Sequence, residues 1–116
     1  MVAAREWLAG SQSTLAAGFA PGAVSLGYYA MLYAARAALS EEDRYAKTHS
    51  GTWNLFRETF VATTRFDEVL FERAQRTLPL RMAADYEARQ VPYDDAEEVV
   101  NLAGRFLAAI EALYPD

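Results

Sequence analysis

The chain has 116 residues, no cysteine, and a formal net charge of -5 from 11 lysines and arginines against 16 aspartates and glutamates. A chain of this length is read as one domain, residues 1–116, able to bury roughly two-thirds of the surface its unfolded form exposes. Without cysteine there are no disulfides, thiolate metal sites or cysteine nucleophiles, and the acidic balance argues against attachment to nucleic acid through overall charge.

The start of the chain mixes Arg5 and Glu6 with apolar residues, unlike a secretory signal, and no apolar run approaches the ~20 residues that cross a bilayer. A soluble, cytoplasmic protein with no membrane partner is expected. Arginine outnumbers lysine ten to one, and Arg57, Arg65, Arg73, Arg76 and Arg81 form a basic stretch ahead of an acidic tail around Asp94, Asp95, Glu97 and Glu98. Composition bias explains the arginines most simply; phosphate recognition by guanidinium forks is the sharper reading.

Apolar residues recur at helical spacing and strict alternation is absent, so the expected fold is all-α, an up-and-down antiparallel bundle of four to five helices. The first helix is expected over about 3–17, with Trp7, Leu8 and Leu15 inward, ended by Gly18, Pro21 and Gly22. The second, about 21–40, carries Tyr28, Leu32, Ala35 and Leu39 as one stripe, and its alanines permit close approach on more than one side. A charged connector over 41–47 leads to a third helix from Thr48 or His49 to Ala62, with Trp53, Phe56 and Phe60 as its core residues.

A fourth helix is capped by Asp67 and runs toward Arg89, with a kink or a division into two at Pro79, which lacks a donor and clashes with the Gln75 carbonyl. The last helix follows Pro92, with Asp94 as cap and Glu97 three residues on as a capping box, and buries Val99, Leu102, Phe106, Ala109 and Leu113. No repeat or linker divides the chain.

His49 is the one histidine, so acid–base chemistry at neutral pH leads to it first; the structural alternative is a helix cap or a bond to a nearby carbonyl. Arg44 precedes it with four residues between, and Lys47 is nearer still. A guanidinium and an imidazole together can cleave a phosphodiester, the one stabilising the pentavalent phosphate and the other moving the 2′-hydroxyl proton. On a regular helix these two side chains stand about 140° apart, so they meet only if the connector bends. Arg81, Asp85 and Tyr86 form a second polar cluster, read either as a ligand contact or as an ion pair on one helix face. Arg36, if inward, requires a partner such as Asp85 or Glu58. No metal or cofactor is assigned: the paired acids at 94–95 and 97–98 suit the first turn of a helix.

The run from Tyr28 to Leu39, then Lys47-Thr48-His49-Ser50-Gly51, then Phe56 and Phe60-Val61, then Arg81-Met82-Ala83-Ala84-Asp85-Tyr86, resembles the small stand-alone prokaryotic branch of the HEPN family (higher eukaryotes and prokaryotes nucleotide-binding). The resemblance covers nearly the whole chain. It implies a helical bundle, usually dimeric and often encoded beside a small nucleotidyltransferase. Many relatives are RNases, including toxins of toxin–antitoxin pairs, with an arginine and a histidine a few residues on at a dimer cleft. Here that pair, Arg44 and His49, sits mid-chain rather than toward the carboxyl terminus, and Gly51 stands where the partnered toxins carry a tyrosine.

Three functions follow as expectations. The first is a homodimeric HEPN protein that binds a nucleotide, RNA or a nucleotidyltransferase partner near Arg36, Lys47, His49, Arg81, Asp85 and Tyr86, as part of a toxin–antitoxin-type pair. The second is a metal-independent endoribonuclease using Arg44 and His49. The third is a purely structural helical interaction module.

Overall fold

A computed structural model of the chain describes residues 1–86 and 91–115, the side chains of 82–86 excepted. Helix α1 (Val2–Ala16) buries Ala4, Leu8 and Leu15, with Trp7 half-buried beside them. It stops where Gly18 enters the left-handed region at φ +84°, so that the Gly18 N–H donates to the Leu15 carbonyl and the Phe19 N–H to the Thr14 carbonyl. The two bonds satisfy carbonyls that the helix leaves open, and a residue without Cβ takes that backbone at least cost.

Helix α2 (Ala20–Glu41) has Pro21 in its first turn, where the missing N–H has no helical partner to lose. Tyr28, Leu32, Ala35 and Leu39 are buried as the stripe requires, and Ala23, Ala30, Ala34 and Ala38 are buried on the remaining sides. Helix α3 (His49–Phe56) is capped by Thr48, whose Oγ1 accepts from the Gly51 N–H at 2.9 Å. Cap formation thus belongs to Thr48 and leaves the neighbouring imidazole for other contacts. The α-helix widens into a π-helical turn over Arg57–Val61, marked by the bond from the Ala62 N–H to the Arg57 carbonyl.

Between α2 and α3 the chain comes back along the bundle rather than folding over. The His49 ring lies 6.0 Å from those of Tyr28 and Tyr29, Arg36 bonds Thr52, Arg44 bonds Thr59 and Arg65 bonds Glu42, so α3 and the π turn rise in the same direction as α2. Residues 42–48 make the return, which extended chain accomplishes at ~3.3 Å per residue.

Asp67 caps helix α4 (Glu68–Gln75), its Oδ2 accepting from the Leu70 N–H at 3.2 Å. The helix foreseen as far as Arg89 is divided: α4 ends at Gln75 and α5 (Thr77–Tyr86) begins two residues later. Pro79 thereby falls in the first turn of α5, where it removes no helical bond. Helix α6 (Tyr93–Leu113) departs from expectation at its start, because its N-cap is Pro92 with no side-chain bond, and Asp94 lies inside the first turn. The capping box is therefore not formed. Asp94 and Asp95 instead place negative charge against the positive end of the helix dipole.

Helix α2 is the centre of the bundle, packed against α1, α3, α5 and α6, and Gly27 permits a close approach to α6. A Cβ at that position would stand 3.1 Å from Val99 Cγ1 of α6. On one side of α2 the rings of Trp53, Phe56, Phe60, Phe66, Phe71 and Phe106 interlock at centroid separations of 4.9–6.5 Å, largely edge-on or tilted. All six are buried, and such pairs add to the area they remove from water.

Candidate functional site

Several polar side chains gather around the start of α3. His49, at its first position, is half-buried between the rings of Tyr28 and Tyr29 of α2. Arg81 of α5 reaches the same place: its Nη2 donates to the Tyr29 hydroxyl at 2.6 Å, and its guanidinium lies 5.4 Å and 5.1 Å from the centres of the Tyr28 and Tyr29 rings. Arg36 approaches from the next turns of α2, its Nε donating to Thr52 Oγ1 at 3.2 Å and its guanidinium 5.9 Å from the Tyr33 ring. Thr52 is fully buried and its hydroxyl donates a hydrogen bond to the Thr48 carbonyl at 2.8 Å, so the same oxygen is a fixed acceptor for Arg36.

Aromatic side chains continue the surface outward. The Trp7 indole of α1 stacks on Tyr33 at 5.8 Å with planes 7° apart, and lies 5.3 Å from Tyr29. Beneath them Trp53 Nε1 donates to the Tyr28 hydroxyl at 3.1 Å, and burial pushes that phenol above its ordinary pKa. Tyr28 is thus a held, neutral acceptor. For His49, burial first and then the positive fields of Arg36 and Arg81 lower the pKa below the usual histidine value. The imidazole is neutral at pH 7, with two guanidinium groups in electrostatic reach and a lone pair able to accept a proton.

The structure brings together His49, Arg36 and Arg81 of the residues chosen from sequence. Arg36 takes its partner from Thr52, whereas Glu58 stands near Arg44. Lys47 is exposed and has no hydrogen bond or ion pair among the described residues. Arg44 is directed elsewhere, its Nη1 donating to Thr59 Oγ1 at 3.1 Å and standing 3.8 Å from Glu58. Thr59 lies ten residues after His49, in the π turn beyond α3 and about 15 Å away at α-helical rise, so one chain holds that guanidinium away from the imidazole. The side chains of Asp85 and Tyr86 lie outside the described residues. Sequence reading missed Trp7, Tyr29, Tyr33 and Thr52 as site residues; Tyr29, Tyr33 and Arg36 do follow one another at helical spacing, which is the signal that marks one face.

The helical bundle agrees with a comparison across known proteins: the family model described as the HEPN domain matches residues 1–113. The chain belongs to the HEPN-domain family. It is 34% identical over 86 residues to the protein named "Putative toxin MJ0142" of Methanocaldococcus jannaschii, a match that covers 73% of this chain and 58% of that protein. It is 33% identical over 86 residues to "UPF0332 protein glr0978" of Gloeobacter violaceus, covering 72% of this chain and 68% of that one. "Putative toxin MJ0605" of Methanocaldococcus jannaschii is 28% identical over 89 residues, with 77% and 66% covered. This HEPN domain therefore spans less than two-thirds of the first of these relatives. Among the described residues no helix is long and apolar enough to cross a membrane.

Proposed function

We propose that this HEPN domain binds a nucleotide or RNA on the face formed by Trp7, Tyr29, Tyr33, Arg36, His49 and Arg81, as one member of a toxin–antitoxin-type pair. The observation that carries the reading is the placement of two guanidinium groups beside a neutral imidazole on an aromatic surface. Guanidinium forks suit phosphate, and aromatic faces accept bases without demanding a sequence. Two relatives carry the word toxin in their names, which supports the paired setting. A second copy of the chain and a nucleotidyltransferase are the protein partners this reading takes. Titration with a short single-stranded RNA tests it: Arg36→Gln should weaken binding about tenfold, the order expected for a lost charge-assisted hydrogen bond. Equal binding by wild type and Arg36→Gln would remove this face from the proposal, and no RNA binding beside retained partner capture would make the domain an interaction module.

Metal-independent RNA cleavage is the second reading, favoured by the neutral state of His49. The imidazole would accept the 2′-hydroxyl proton while a guanidinium balances charge on the phosphorane. Since Arg44 is held by Thr59, it would join this site from a second copy of the chain. Cleavage in EDTA that is lost in His49→Ala and retained in Arg44→Ala would assign the charge-balancing role to Arg36 or Arg81.

A further inference from the structure

Nine arginines have described side chains outside 82–90, and six of them are already engaged. Arg5 pairs with Glu111, Arg36 with Thr52, Arg44 with Thr59, Arg57 with Gln75, Arg65 with Glu42 and Arg81 with Tyr29. Arg73, Arg76 and Arg105 have no hydrogen bond or ion pair among the described residues. All three line one groove of about 670 Å³ between α4, α5 and α6, which includes none of the residues around His49. That volume is within the range of small-molecule sites, roughly 300–1,000 Å³.

The rest of the groove restricts what can enter. Leu80, Val99 and Leu102 supply apolar surface, and Asn101 supplies an amide. Asp95 and Glu98 stand on the same walls, so a uniformly anionic chain would meet repulsion at that end. The three cations and two carboxylates leave a net charge of +1 around the groove in a chain whose formal net charge is -5. A single compact anion joined to a neutral body satisfies both ends: guanidinium forks take the phosphate oxygens, and the carboxylates accept from hydroxyl or amino groups.

We propose that this groove is a second binding site, separate from the His49 face, for a small phosphate monoester whose neutral body carries hydroxyl or amino donors, as a nucleoside monophosphate does. The phosphate sits among Arg73, Arg76 and Arg105. The ring lies against Leu80, Val99 and Leu102, with its donors toward Asp95 and Glu98. Arg73, Arg76 and Arg105 are exposed, whereas Val99 and Leu102 belong to the core, so substitutions of the arginines leave the core untouched.

Titration of the labelled full chain with AMP, followed by backbone amide resonances, tests the assignment. Saturable shifts are expected at Thr77, Asn101 and Arg105, with at least tenfold weaker binding in both Arg76→Gln and Arg105→Gln. His49→Ala should bind AMP in the groove as wild type does, which separates this site from the function proposed above. Adenosine and inorganic phosphate should each bind at least tenfold more weakly than AMP, because each lacks one half of the contacts. Shifts confined to the surroundings of His49, no saturable shift, unchanged affinity in the arginine variants, or equal binding of adenosine or phosphate would overturn the proposal. A 5′-phosphorylated oligonucleotide that occupied the groove more tightly than AMP would also overturn it, since the ligand would then be an RNA end.

Discussion

His49 couples the chemistry of its surroundings to acidity. Burial and the fields of Arg36 and Arg81 make the folded imidazole hold a proton less readily than it does in the unfolded chain. When pH falls through about 6.5, the unfolded state takes up the proton first, and linkage then lowers folding stability until the folded-state pKa is passed. Above that window the residue contributes no pH dependence. Urea unfolding of wild type and His49→Gln should therefore diverge in slope between about pH 7 and pH 5, the glutamine variant giving the flatter curve. Parallel curves would show that the imidazole is not desolvated beside these cations. A carboxylate acts lower on the scale: Glu42, whose pKa is lowered by bonds from Arg65 and Tyr114, loses its contribution only as pH drops through the acid range. The histidine was easily singled out in the sequence, being the only one, but its two cationic neighbours lie 13 residues before it and 32 after it. Helix packing brings Arg81 and His49 to Tyr28 and Tyr29, and Arg36 to Thr52 one turn further along α3.

Among the elements, the boundaries set by local chemistry agree best with the residue pattern. Asp67 begins α4, and Pro79 divides the long segment at Gln75, because a cap oxygen and a missing N–H act within one turn. Gly18 behaves in the same way. No atom lies within 4 Å of a Cβ built there, so Gly18→Ala tests the backbone alone. Thermal or urea unfolding should show a loss of about 1–2 kcal/mol, the cost of left-handed backbone for a residue with a Cβ. No loss would mean that the turn after α1 does not need positive φ. The start of α6 was misread from Asp94 and Glu97, because a capping box needs extended backbone at the cap and Pro92 occupies that place. The π turn over Arg57–Val61 has no comparable mark in its composition; Thr63 Oγ1 donates to the Thr59 carbonyl at 2.7 Å and Arg44 donates to the Thr59 hydroxyl, so the widened turn is held by one local bond and by one from the connector that precedes α3.

For the molecule as a whole, α2 is the element against which α1, α3, α5 and α6 pack, and at Gly27 it comes close to α6. Gly27→Val should destabilise the fold by about 1–3 kcal/mol, as overpacking does, because its Cβ meets Val99 Cγ1 at 3.1 Å and the added methyl groups have less room still. An unchanged unfolding midpoint would show that α6 can move away at no cost. Helix α5 has a different part, since Arg81 turns to Tyr29 while Thr77 and Leu80 line the groove toward α6, so one helix contributes to both proposed sites. The helical class, the central position of α2, the aromatic core residues and the break at Pro79 were legible in the linear pattern, because periodicity, side-chain size and the lost proline donor act over one to four residues. The return of residues 42–48 along the bundle was not. It sends Arg44 to Thr59 and sets His49 against Tyr28 and Tyr29, while the packing of α4 and α5 on α6 brings Arg73, Arg76 and Arg105 to one groove. Such meetings depend on how helices distant in sequence pack side by side, and no local spacing rule contains that information.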